Sequence, residues 1–346
     1  MDLQTIWFVV LVVFWVGFFV LEGFDFGVGA LHMWIGRSEN ERRVEINTIG
    51  PWWDGNEVWL VVAGGATFAA FPGWYATMFS ALYLALVIVI LALFARGVSF
   101  EWRGKRESPR WRAGWSWALT IGSILIPLLL GIALGDLLVG LPIDQSENFT
   151  GNFLDLLTGY GVMTGVTLLA LSLLHGAIFL GLRTTGELRD RARSFGNVLG
   201  IVAIFVYLAW VIWTLVVVGG GTVPQPTQIF GTLAVIIAWG LARSDRNSGA
   251  FFASAFAIGA AIVQLFLFLY PNVMVSSTNS AYNLTVTNSA SAHYTLVVMT
   301  VASVLLVPIV LLYQGWSFYV LRGRIATPPS TKETHAGAAG QTGTQA

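Results

Sequence analysis

Four carboxylates stand inside otherwise apolar stretches of this sequence. Glu22 and Asp25 lie in Leu21-Glu22-Gly23-Phe24-Asp25-Phe26-Gly27-Val28-Gly29. Asp54 and Glu57 lie in Gly50-Pro51-Trp52-Trp53-Asp54-Gly55-Asn56-Glu57-Val58-Trp59-Leu60. Each pair is spaced three apart, which puts both members on one face of a helix. A carboxyl in an apolar interior is costly to ionise, so it can take up and release protons near neutral pH. That chemistry is a proton relay or the lining of a polar cavity. A structural reading stands beside it. The acids could cap broken helices or accept hydrogen bonds from the N–H groups of Trp52, Trp53 and Trp59.

The elements that must position these acids are read from composition. Of 346 residues, 56% are hydrophobic and 10% charged. A soluble domain carries about a quarter charged residues. Mean hydropathy is +0.73, more than a water-exposed surface can support, so lipid replaces the polar shell. Segments near 6–34, 50–70, 74–95, 114–139, 154–182, 197–219, 228–242, 249–270 and 294–321 are each apolar. About 20 such residues cross a bilayer as a helix. An all-α polytopic protein of about nine spans is expected, because lipid forces backbone groups to bond internally. The alternating ten-residue pattern of a spanning barrel is absent. The first stretch has no basic leader and reads as a retained span. Residues 1–325 form the transmembrane domain. From Ala326 to 346 the chain is rich in Pro, Thr, Gly, Ala and Gln and reads as a disordered cytoplasmic tail.

Direction comes from the basic residues. All 18 lysines and arginines fall after odd-numbered spans: Arg37, Arg42 and Arg43 after the first, and the run from Arg96 to Arg112 after the third. The positive-inside rule then sets the N-terminus outside and the C-terminus in the cytoplasm. Asp25 lies twelve residues before Arg37, about 18 Å along a helix, and Asp54 eleven residues after Arg43, about 16 Å. Both fall at similar depth on antiparallel spans joined by a short loop. Gly23 and Gly27 form a small-xxx-small pair that admits a close neighbour. Gly50-Pro51 is a point where the helix can unwind.

Other chemistry is thinly represented. There is no cysteine, which excludes disulfides, iron–sulfur clusters and thiolate haem ligation in this chain. His32, His175 and His293 share no spacing that suggests a metal or haem site, and His335 lies in the tail. His175, in an apolar run, reads as a core histidine. Trp7, Trp34, Trp102, Trp111 and Trp115 read as an interfacial belt, and Asp136 as an interface residue. No nucleotide or zinc motif is present. The basic loop from Arg103 to Arg112 is explained by topology and lipid headgroups. A formal net charge of zero gives no sign of a nucleic-acid partner.

The motifs quoted above resemble those of subunit II of the cytochrome bd quinol oxidases. Gly23-Phe24-Asp25-Phe26-Gly27 followed by Trp53-Asp54-Gly55-Asn56-Glu57-Val58-Trp59-Leu60 carries most of the likeness. Ala63-Gly64-Gly65-Ala66, Thr150-Gly151-Asn152-Phe153, Thr185-Gly186-Glu187-Leu188 and Leu306-Val307-Pro308-Ile309-Val310-Leu311-Leu312-Tyr313 extend it over nearly the whole chain up to the tail. The resemblance implies a haem-free subunit of two four-helix bundles plus one extra helix, in a bacterial plasma membrane. It implies a partner, subunit I, that carries haems b and d and the quinol site, and small accessory subunits are compatible with it. The complex would oxidise quinol and reduce oxygen to water. Asp54 would line a proton path from the cytoplasm, with Asp25 next. For Glu22 and Glu57 it implies an acidic or polar position without a fixed role.

A stand-alone proton-coupled transporter is the rival reading. It draws on the same acids and the break at Gly50-Pro51, but lacks a second interrupted helix at a matching position. A purely structural partner is the third.

Overall fold

The computed structural model describes residues 2–218 and 225–328. Most of the expected tail, from 329 onward, lies outside the described residues, as does most of the loop near 220–227.

Eleven α-helices make up most of the described chain: α1 (Leu3–Ile35), α2 (Glu39–Ile49), α3 (Trp53–Ala70), α4 (Pro72–Ala81), α5 (Tyr83–Trp102), α6 (Pro109–Val139), α7 (Gly159–Arg183), α8 (Gly186–Val217), α9 (Pro226–Arg243), α10 (Asn247–Leu269) and α11 (His293–Val320). Seven of them, α1, α5, α6, α7, α8, α10 and α11, are long and apolar enough to cross a membrane. The chain is thus an all-α polytopic membrane protein. The second and seventh expected spans correspond to α3 and α9, which are not among the seven. Asp54, Asn56 and Glu57 lower the apolarity of α3, and α9 runs from Pro-Thr-Gln to Arg243.

Three local features depart from the sequence reading. The loop after the first span is the helix α2, with Ser38 and Glu41 forming a reciprocal capping box. The third span is two helices, α4 and α5, that meet at Leu82, and α5 continues to Trp102. Arg96 therefore lies inside a helix, fully buried, rather than in a loop. At the end opposite the basic loops, the short strands β1 (Asn272–Met274) and β2 (Leu284–Thr285) pair antiparallel. The segment after α6 is laced to β1 by Leu141 N–H donating to Val275 O (3.1 Å) and Ser276 Oγ–H donating to Ile143 O (2.9 Å).

Helix α1 runs through the middle and packs on α3, α6, α7 and α10. The helices α1, α3, α5 and α6 form one set of neighbours, and α7, α8, α9 and α10 another. Helix α1 crosses α7 at close range. There a Cβ at Gly27 would collide with the backbone of Ser172 and Gly176, and a Cβ at Gly176 with the backbone of Gly27 and Val28. Gly23 instead contacts side chains, with Ile258 Cδ1 3.1 Å from where its Cβ would stand. Helix α11 is peripheral and mostly exposed. It is held by Trp7, whose Nε1–H reaches Leu296 O and Thr300 Oγ1 (3.2 and 3.0 Å). Trp7 is thus a buried anchor rather than part of a belt, because its ring fills the α1–α11 contact. Asp136, expected at an interface, is fully buried. It accepts from Thr158 Oγ1–H (2.5 Å), the N-cap of α7.

Candidate functional site

Two of the four acids contact Arg96, and a third, Asp25, lies near enough to feel its charge. Glu22 from α1 approaches it most closely, with Oε2 2.9 Å from Nη2. Glu57 from α3 lies 3.6 Å from Nη1. The Glu22 contact is ionic rather than a well-aligned hydrogen bond, since neither group has a hydrogen-bond partner. Arg96 is flanked by the rings of Phe26 and Phe100, 5.0 and 5.4 Å from its Cζ. Glu22, Asp25 and Arg96 are fully buried, and Glu57 is half-buried.

Asp25 belongs to a polar chain that crosses three helices. Asn56 Nδ2–H donates to Asp25 Oδ2 (2.7 Å) and to Leu21 O (3.2 Å). Gln314 on α11 donates to Asn56 Oδ1 (3.0 Å), and Trp59 Nε1–H donates to Gln314 Oε1 (2.9 Å). The other oxygen, Asp25 Oδ1, is buried with no partner in the protein.

One cation faces three carboxyls in this cluster. A buried charge without compensation costs several kcal/mol, and one arginine carries the charge to compensate one carboxylate. Glu57 also lines a surface groove of about 490 Å³ between α3 and α5, with Trp53, Phe94, Gly97 and Glu101. Glu57 is thus the member of the group that opens to the surface of the chain.

Asp54 does not join the cluster. It sits in the first turn of α3 and is exposed on the outside of the chain. Asp25 points inward and Asp54 outward. Sequence reasoning missed Arg96, Asn56 and Gln314. The signal for Arg96 was available, because Gly97-Val98-Ser99-Phe100 prolongs the apolar run beyond it.

A second polar network lies at the α2 end and was also missed. His32 Nδ1 is 2.8 Å from Glu45 Oε2, and Nε2 is 3.2 Å from Ser116 Oγ. Arg103 Nε–H donates to Ser116 Oγ (2.8 Å), and its two terminal nitrogens donate to Glu39 (2.8 and 2.7 Å). On α2, burial pushes the Glu45 carboxyl well above the ordinary range, with Arg42 pulling the other way. Burial also opposes ionisation of Glu41. Its bonds from Arg191 and from the backbone N–H groups of Ser38 and Arg37 outweigh that and hold it below the ordinary value.

Both ring nitrogens of His32 are engaged, and His175 is fully buried, bound to Ser254 Oγ (2.7 Å) and stacked on Phe251 at 4.5 Å. Among the described residues, no three His, Asp or Glu side chains are grouped to hold a metal ion.

Comparison with known proteins places this geometry in context. A family model described as cytochrome bd terminal oxidase subunit II matches residues 3–321. Cytochrome bd ubiquinol oxidase subunit 2 of Bacillus subtilis is 42% identical over 329 residues, covering 94% of this chain and 97% of the relative. Cytochrome bd-I ubiquinol oxidase subunit 2 of Escherichia coli K12 is 36% identical over 371 residues, covering 96% and 98%. A chain from the structure of the bd oxidase of Geobacillus thermodenitrificans superposes with a TM-score of 0.72 at 19% identity, covering 93% of this chain and 98% of that one. That last likeness concerns the fold.

Proposed function

The chain belongs to the cytochrome bd terminal oxidase subunit II family, and from that premise we propose how it serves a quinol oxidase. It works as the haem-free subunit of a quinol:oxygen oxidoreductase and catalyses nothing alone. Its partner is subunit I, which would carry haems b and d and oxidise quinol in a bacterial plasma membrane. The transporter reading has no support from the relatives.

The finer architecture is part of the same reading. Helices α3 and α9 complete nine spans, with α4 and α5 counted as one. The two sets of neighbours become two four-helix bundles, and α11 the extra helix. The N-terminus lies outside and the C-terminus in the cytoplasm, so α2 and the basic loops are cytoplasmic. The exposed carboxylate of Asp54 favours a protein partner over lipid on that side of α3, because a lipid-facing charge is expensive.

The observation that carries the functional reading is the cluster of Glu22, Asp25 and Glu57 around one buried arginine, open to the surface at Glu57. Asp54 at the partner face and Asp25 within would exchange protons taken from the cytoplasm and deliver them toward the haems. In the assembled oxidase, Asp54→Ala is expected to lower oxygen consumption or impair assembly. Asp25→Asn should slow turnover roughly tenfold at unchanged haem content. Normal oxygen consumption with normal haem content in both variants would refute the role. Detergent purification tests the partner, since a haem-bearing chain should co-elute.

A further inference from the structure

We propose that the α1–α6 seam is a second proton-conducting file in this chain, running from Glu45 through His32, Ser116, Thr120 and Ser123 to Asp25. The proposal rests on the proton-handling reading above and adds an entry route to it.

The file begins as two facing stripes. On α1, Asp25, Gly29 and His32 follow one another at spacings of four and three, so they share a face. On α6, Ser116, Thr120 and Ser123 repeat the same spacings. The helices run antiparallel and in register. His32 meets Ser116 at 3.2 Å. Thr120 Oγ1–H donates to Gly29 O at 3.1 Å. Ser123 Oγ fills the space where a Cβ on Gly29 would stand. Seven residues separate the ends of each stripe, about 10.5 Å. All three hydroxyl residues and His32 are fully buried.

This seam is more polar than packing requires. Two membrane helices can meet through alanine or glycine at lower cost, and hydroxyls inside a bundle need partners. The Ser123 hydroxyl has none in the protein, and neither does Asp25 Oδ1, one turn away on the facing helix. Pro127 adds a third free group at this level. It lies inside α6 and has no N–H to offer, so the carbonyl of Ser123 accepts no helical bond from it. Two buried acceptors and a hydroxyl within about one helical turn are the polar partners a bridging water needs.

The chemistry follows from the histidine. Glu45 lies beneath the turn at Gly36, next to the exposed residues Arg37, Ser38 and Glu39. A proton on Glu45 moves to His32 Nδ1 while the proton on Nε2 leaves for Ser116 Oγ. The imidazole is neutral before and after, with its tautomer reversed. Arg103 holds Ser116 in place by donating to its oxygen. Ser116 releases its own hydrogen as it takes the new one, and water between the successive turns of Thr120 and Ser123 completes the transfer to Asp25, each oxygen returning to its original number of hydrogens. Ring rotation or reverse exchange resets His32.

The test uses the assembled two-subunit oxidase. Thr120→Val keeps shape and removes the hydroxyl, and Ser123→Ala removes the other. The double variant is expected to lose roughly tenfold in oxygen consumption, to show a larger solvent deuterium isotope effect, and to keep its haem content. Thr120→Ser should restore rate and isotope effect. If Asp25→Asn slows turnover while the hydroxyl variant is normal in both readouts, this file is refuted and the acid cluster stands. If Asp25→Asn is also normal, the underlying proton reading fails and takes this file with it. Should the double variant not assemble, Thr120→Val alone decides by the same two readouts.

Discussion

Replacing Arg96 by Leu is expected to prevent the protein from accumulating in the membrane. Arg96 is fully buried between Phe26 and Phe100, with Glu22 at 2.9 Å and Glu57 at 3.6 Å. Removing one partner of a buried ion pair costs about 3–5 kcal/mol, because the other charge remains without compensation. A folded domain has only about 5–15 kcal/mol in reserve. The second arm of the experiment isolates the cause. Arg96→Leu combined with Glu22→Gln removes both charges and should recover most of the lost protein. The readout is the amount of monodisperse protein after detergent extraction, with its melting temperature. If Arg96→Leu alone accumulates and melts like the parent, the cluster is not held together by this cation.

Gly27→Leu should be as damaging, for a steric reason. At this crossing the backbones of α1 and α7 touch, and a side chain on Gly27 meets the carbonyl of Ser172 and the backbone of Gly176. Backbone cannot move aside as a side-chain tip can, and even mild overpacking costs about 1–3 kcal/mol. The variant should lose the α1–α7 contact and fail to yield a monodisperse protein. Gly259→Ala is the control. Its new Cβ would stand 3.4 Å from Val16 and 3.9 Å from Val20, ordinary contact distances. Size-exclusion profiles of the two variants decide it, and matching symmetrical peaks would show that the crossing has room to spare.

The membrane class and the acids were legible because charge in an apolar run is conspicuous. The direction of a side chain around α3 was not. Lipid-facing and core-facing positions are both apolar in a membrane helix, so no polar stripe marks the outside. Asp54 and Asp25 therefore looked alike in sequence and point to different surroundings. Arg96 was misassigned by a boundary. Its positive charge resembled a flanking residue, although four uncharged residues follow it. The pairing of His32 with Glu45 depends on a turn at Gly36 that folds α2 back, which spacing alone does not reveal. The capping box at Ser38 and Glu41 was readable and marks that helix. Asn56 and Gln314 are 258 residues apart and meet only in the fold.

The central position of α1 has a consequence for how the protein is made. The chain emerges from the ribosome in order, at roughly 5–20 residues per second. Arg96 follows Asp25 by 71 residues, so at that pace the arginine arrives roughly 4–14 s after the acids it will neutralise. Gly176, against which Gly27 must close, comes later still. Helix α1 is made before these partners and therefore waits in the bilayer with Glu22 and Asp25 unmatched, while the segments that surround it are threaded in one by one. Its neighbours cannot seal until α7 has passed through. The middle of this molecule is begun before its surroundings and closed late, and the interval between those events is when α1 is most exposed to quality-control proteases.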